Sequence, residues 1–211
     1  MPHPVADVIQ RAWAFAVARG SIRQGSRQAA RFARFGSHSE ITFPHTALMG
    51  EQRIEIGAHT LVGPLATLSA GMPTTANEPG PPIVTIGDRC LLGKGIGVVG
   101  HERVEIGDDL WTGHYVYITD QNHGYADLDM PISRQAMPER PVRIGAGSWL
   151  GHGTVVLPGA TIGRHVVIGA NSVVRGEIPA NCVAAGNPAR VVKQLAEQPP
   201  VVTGNGQFAR S

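Results

Sequence analysis

Aromatic side chains make up only 5% of the 211 residues, and cysteine occurs twice, at Cys90 and Cys182. So few rings argue against a sandwich filled with large side chains. Two cysteines without a C-x-x-C pair are too few for a disulfide framework. No apolar run reaches the roughly 18 residues that a membrane span needs. The stretch from Met1 to Ala18 scatters its charges and lacks the basic, apolar, small order of a secretory signal, so a cytoplasmic protein is expected. A net charge of +2 is too small to argue for nucleic acid.

What the chain does hold is glycine, 27 residues of it, and an uneven spread of charge. Residues 1–36 carry Arg11, Arg19, Arg23, Arg27, Arg31 and Arg34 against the single acid Asp7. Val5, Val8, Ile9, Ala12, Trp13, Phe15 and Ala16 fall close to helical spacing, which predicts an amphipathic helix over Pro4 to Arg19. The preferred reading is that this helix caps the core or packs on a neighbouring subunit. A basic amphipathic helix can also rest on an anionic membrane surface, so peripheral membrane contact is the second reading.

The strongest pattern is periodic. An aliphatic residue followed by glycine occurs at Ile56-Gly57, Val62-Gly63, Ile86-Gly87, Leu92-Gly93, Ile106-Gly107, Ile144-Gly145, Leu150-Gly151, Ile162-Gly163 and Ile168-Gly169. Within each block the spacing is six or a multiple of six, and Ile144, Leu150, Val156, Ile162, Ile168 and Val174 form the longest unbroken ladder. Four residues after each aliphatic a small or apolar side chain returns, as at Thr60, Cys90, Ser148, Thr154, Val166 and Ser172. A six-residue unit is a short strand and a turn. Three units bring the chain back above its start, with one aliphatic per unit pointing inward and the small residue filling the corner. Coils then start at Ile56, Ile86, Ile106, Ile144 and Ile162. Against a coil of 18 residues, the interval from 56 to 86 carries an extra 12 and that from 106 to 144 an extra 20. These excesses place insertion loops at 70–82 and 119–140. The division of the chain is thus 1–36, a basic helical segment; 37–189, a β-helix; and 190–211, a short C-terminal helix (Arg190 to Ala196) with a disordered tail. A long polar excursion from a regular core is where function is sought.

The ladder 142–176, the run Ala184-Ala185-Gly186-Asn187-Pro188-Ala189-Arg190 and the loop Asp120-Gln121-Asn122-His123 resemble the hexapeptide-repeat acyltransferases of the maltose and galactoside O-acetyltransferase type. The likeness extends to members that modify sugars and polysaccharides, and covers roughly residues 50–195. It implies an all-β fold, a left-handed parallel β-helix, assembled as a homotrimer with active sites between adjacent subunits. It implies acetyl-CoA or another acyl-CoA as donor, a carbohydrate hydroxyl as acceptor, and no metal. An acyl-CoA thioester is already activated, so what remains is to take the proton from a hydroxyl. A histidine with a pKa near 6.5 suits that task. His123 is the expected base, with Asn122 and Asp120 beside it to orient the ring.

By the same resemblance Gly151, His152, Ala170, Arg175, Asn187 and Lys193 bind the donor. Arg190 adds charge for its phosphates, while Arg164 reads as a solvated surface residue. Trp149 faces outward and can stack on a sugar, and Trp111 sits at the same offset one coil earlier. His101 and Glu102 align with an acceptor contact that is acidic in sugar-modifying relatives, and Met130 with Met137 offers an apolar wall. Gly93 replaces a polar side chain of close relatives, which argues against maltose or galactosides as acceptors. Alternatives from the residues are N-acylation of an amino sugar, a zinc enzyme of the γ-carbonic-anhydrase type using His101, His114 and His123, and an inactive trimeric scaffold. Cys90 takes a corner position and reads as a core residue rather than a nucleophile.

Overall fold

The computed structural model describes residues 4–72, 74, 78 and 80–195, and there the period of six becomes three flat faces of a prism. Face I stacks Leu61–Val62, Leu91–Leu92, Trp111–Thr112, Trp149–Leu150 and Val167–Ile168. Face II stacks Ile54–Ile56, Val84–Ile86, Val104–Ile106, Val142–Ile144 and Thr161–Ile162. Face III stacks Thr67–Ala70, Gly97–Gly100, Tyr117–Thr119, Val155–Val156 and Val173–Val174. The chain visits face II, then I, then III, and pairs in parallel with the coil before it. This is the left-handed parallel β-helix that the resemblance implied.

The register explains the sequence ladder. Ile56 lies beside Ile86, then Ile106, Ile144, Ile162 and Ile178, all pointing inward and at most 4% exposed. Each such side chain contributes about 1.5–3 kcal/mol by leaving water. Corner hydroxyls serve a second purpose. Ser39 and Thr60 donate to the carbonyls of Gly57 and Gly87 in the coil above, at 2.6 and 2.8 Å. A small polar residue therefore clips successive turns together where an aliphatic one would leave the carbonyl unpaired. Cys90 takes the same place, 2% exposed, as its position in the repeat required.

The first coil begins at Arg34–Phe35, before the earliest coil start read from the repeat, because Phe35-Gly36 and Ile41-Thr42 lack the usual aliphatic-glycine signature. The N-terminal helix runs Pro4–Gly20 as predicted. It does not cap the core: Trp13 meets Phe43 at 6.4 Å between ring centroids, Ser21 bonds back to Val17, Arg23 donates to the Ala18 carbonyl, and residues 5–15 are exposed. The expected C-terminal helix is corrected to a strand. Ala189–Gln194 folds back antiparallel on Cys182–Gly186, with Val191 and Val192 favouring extended backbone. The hairpin pairs the last edge of face I, which a helix would have left open. The expectations for Ala196 and for the tail lie outside the described residues, as does part of the first insertion.

Candidate functional site

Both insertions leave the prism at one edge, between faces III and II. The longer one starts and ends as a two-stranded ribbon. Asn122 N–H donates to Pro138 O, Gly124 N–H to Ala136 O, and Arg140 N–H to Asp120 O, at 3.1, 2.9 and 2.7 Å. Glycine is required at 124, where a Cβ would lie 2.5 Å from the Ala136 carbonyl oxygen. Farther out, the Gln135 amide donates to the carbonyls of Asp127 and Met130 and closes the tip.

His123 stands on this ribbon and lines a groove of about 890 Å³. Tyr125 and Pro138 flank it on the arm, and Leu157, Pro158 and Gly159 form the floor. Arg140, Arg175 and Arg190 also line the groove. None of the three has a carboxylate partner among the described residues, so the cavity is strongly positive and suited to phosphates. Arg140 is the residue that the sequence reading missed. It carries no motif, and only the return of the arm places it beside Gly159, whose N–H donates to its carbonyl at 3.0 Å.

The two residues expected to orient the imidazole do something else. Asp120 is fully buried, and its carboxylate accepts the backbone N–H groups of His101, Glu102 and Arg103 at 2.8, 2.8 and 2.6 Å. With those bonds made, it anchors the base of the arm and does not reach the ring. The Asn122 side-chain oxygen accepts the backbone N–H of His123 at 2.9 Å, which sets the turn rather than the imidazole. His101 is tucked under the arm. Its Nδ1 lies 3.5 Å from a Glu139 carboxylate oxygen without making a hydrogen bond. Glu102 is exposed beside it, and Met130 sits out on the arm, 42% exposed and outside the groove.

The residues carried over for donor binding divide between two edges. Arg175 is in the groove, whereas Gly151, His152 and Ala170 occupy stacked turns on the edge between faces I and III. There a Cβ on Gly151 would meet the Ala170 nitrogen at 2.5 Å. His152 packs edge-on against Tyr115 and His114, with ring centroids 5.8 and 6.4 Å apart. Asn187 and Lys193 are exposed on the terminal hairpin, and Arg164 is exposed on the third edge. Trp111 and Trp149 are in register on face I, 59% and 52% exposed, opposite the edge that carries His123. His114 lies on a different edge from His101 and His123, and among the described residues no three His, Cys, Asp or Glu side chains gather as ligands to one ion.

Residues 141–176 match the bacterial transferase hexapeptide family (six repeats), and residues 83–110 match the hexapeptide repeat of succinyl-transferase. The chain is 42% identical over 107 residues to Rv3034c of Mycobacterium tuberculosis, named as an acetyltransferase, covering 51% of this chain and 36% of that protein. It is 40% identical over 119 residues to WbbJ of Escherichia coli, named as a lipopolysaccharide biosynthesis O-acetyl transferase, covering 53% and 61%. The chain thus spans less than two thirds of either relative's length. AntD, an N-acyltransferase from Bacillus cereus solved with dTDP and 3-hydroxybutyryl-CoA, superposes with a TM-score of 0.68 at 18% identity over 83% of this chain and 89% of that one. That likeness is one of fold. The resemblance to hexapeptide-repeat acyltransferases is borne out by the repeat matches and the curated relatives.

Proposed function

We propose that this hexapeptide-repeat chain is an acyltransferase that moves an acyl group, acetyl by default, from a CoA thioester to a hydroxyl of a sugar or polysaccharide. The observation that carries this reading is His123, held on a rigid ribbon in a groove with three unpaired guanidiniums. The arginines take the donor's phosphates. The His123 imidazole accepts the hydroxyl proton as the oxygen attacks the thioester carbon. It then returns that proton to the departing CoA sulfur, so both substrates are bound together and no enzyme ester forms. Such a base contributes about 10²–10⁴-fold. The curated relatives' names, one an O-acetyl transferase, support the oxygen acceptor.

The working enzyme is a homotrimer. The outer side of face II is polar and ion-paired, with Arg143 on Glu105 at 2.6 Å. Face I instead exposes a ladder of Leu61, Leu91, Trp111 and Trp149 in register, and Tyr115 and Tyr117 continue it toward face III. Such a stripe marks an interaction surface. The edges bearing His123 and Gly151 bound face III on its two sides. A ring of copies brings one copy's His123 edge to the next copy's stacked turns at Gly151, His152 and Ala170 and to its Trp149.

The test is a matrix of acyl-CoAs against sugars, oligosaccharides and amino sugars, followed by CoA release. His123→Ala is expected to lose at least about 10²-fold in turnover with CoA affinity nearly unchanged. Retained turnover removes His123 from the mechanism, and preference for an amino sugar replaces O- with N-acylation. Mixing inactive His123→Ala with inactive Ala170→Trp chains should restore part of the activity. No recovery in mixed assemblies overturns the shared site.

A further inference from the structure

The N-terminal helix is the largest feature that the acyl-transfer reading leaves unused. Val5, Val8, Ile9, Trp13 and Phe15 are 60%, 66%, 60%, 53% and 64% exposed on it. At 100° per residue, the apolar side chains from Phe15 through Val8, Ala12, Val5, Ala16 and Ile9 to Trp13 span an arc of about 160°. Trp13, at one margin of that arc, touches the body through Phe43, and Ala16 is half-buried. The remainder faces about a quarter turn away from this contact, so the helix can lie on a flat surface beside the prism.

We infer that this surface is an anionic lipid bilayer, on which the helix lies half immersed. Charge is the first argument. Arg11 borders the arc on its Phe15 side, and Arg19, which falls within the arc in the helix's last turn, places its guanidinium 5.4 Å from the centroid of the Phe15 ring, where a long side chain can keep its charge at the headgroups. Arg27 follows in the next turn of chain. None of the three has an acidic partner among the described residues, whereas Arg23, Arg31 and Arg34 are paired with Glu40, Glu51 and Asp88. The helix's one acid, Asp7, falls on the side opposite the arc. The width of the arc is the second argument. A flat sheet of a second copy covers a narrower stripe, whereas the headgroup boundary buries half the circumference of a helix with aromatic anchors and basic flanks. The helix rests on this surface rather than crossing it, since no helix of the described residues is long and apolar enough to span a membrane.

The experiment is flotation of the full chain with vesicles of phosphatidylcholine alone or with about a third phosphatidylglycerol, at low and high salt. The parent should float with the anionic vesicles at least about tenfold more than with the neutral ones, and release in salt. Val8→Asp with Phe15→Asp should abolish flotation while CoA-release turnover stays unchanged, because neither residue approaches the groove. Arg11→Glu with Arg27→Glu, which leaves the apolar arc whole, should weaken it as well. Absence of parent binding to anionic vesicles overturns the inference. So does unchanged flotation of either double variant. A fall in sedimentation mass of the Val8→Asp, Phe15→Asp protein also overturns it, by assigning the helix to a neighbouring copy.

Discussion

Asp120 separates an anchor from a catalytic partner, and the two roles predict different outcomes. Its carboxylate is fully buried and holds three backbone N–H groups of residues 101–103. Hydrogen bonds to a charged group are worth about 1.5–3 kcal/mol each. In Asp120→Ala all three donors lose their acceptor, though water reaches those next to exposed Glu102 and Arg103. A net loss of about 3–5 kcal/mol is expected. For a chain of this size that corresponds to a fall in Tm of about 6–20 °C. Asp120→Asn keeps one acceptor oxygen but turns an NH2 group toward a backbone donor, so about half the loss should remain. Urea unfolding and thermal melts at one protein concentration give the stability, and CoA release gives turnover per folded enzyme. Turnover should stay within about tenfold of the parent, since Asp120 does not reach the His123 ring. Refutation would be an Asp120→Ala protein as stable as the parent whose turnover falls as far as that of His123→Ala. Asp120 would then act on the imidazole.

Other perturbations probe neighbouring parts. Gly124→Ala pushes a methyl against the Ala136 carbonyl and displaces the ribbon; turnover should drop at least about tenfold with CoA affinity kept, by steady-state kinetics and calorimetry. Arg140→Ala should raise the apparent Kd for a phosphate-bearing substrate about tenfold or less while leaving the melt unchanged. The hydrogen bond from Arg23 holds the Glu40 carboxyl below its usual range, with burial opposing. Its contribution is therefore present above the usual carboxylate pKa and lost as pH falls through the lowered value. The gap between parent and Glu40→Gln should be flat from about pH 6 to 8, at most about 1 kcal/mol, and shrink progressively once the pH falls below the usual carboxylate pKa. Burial pushes the Cys90 thiol up, so maleimide should label it only after denaturation, as followed by mass spectrometry.

The fold and the place of the long arm could be read from the chain because a period of six ties one residue to one place on the prism. Ile144 and Ile162 are 18 residues apart in sequence and directly paired in space. An interruption of that count, from Thr119 to Arg140, is therefore already a position on one edge. What the arm's residues do there was decided by tertiary structure. Asp120 reads as a partner of His123 from adjacency, yet its buried oxygens face a turn 17 to 19 residues earlier. Arg140 carries no local signal and joins the groove because the ribbon returns beside Gly159. The C-terminal segment has no repeat to guide it, and the open edge of the last coil turned it into a strand. Local periodicity determines backbone paths that repeat; long-range packing alone chooses which polar atoms meet.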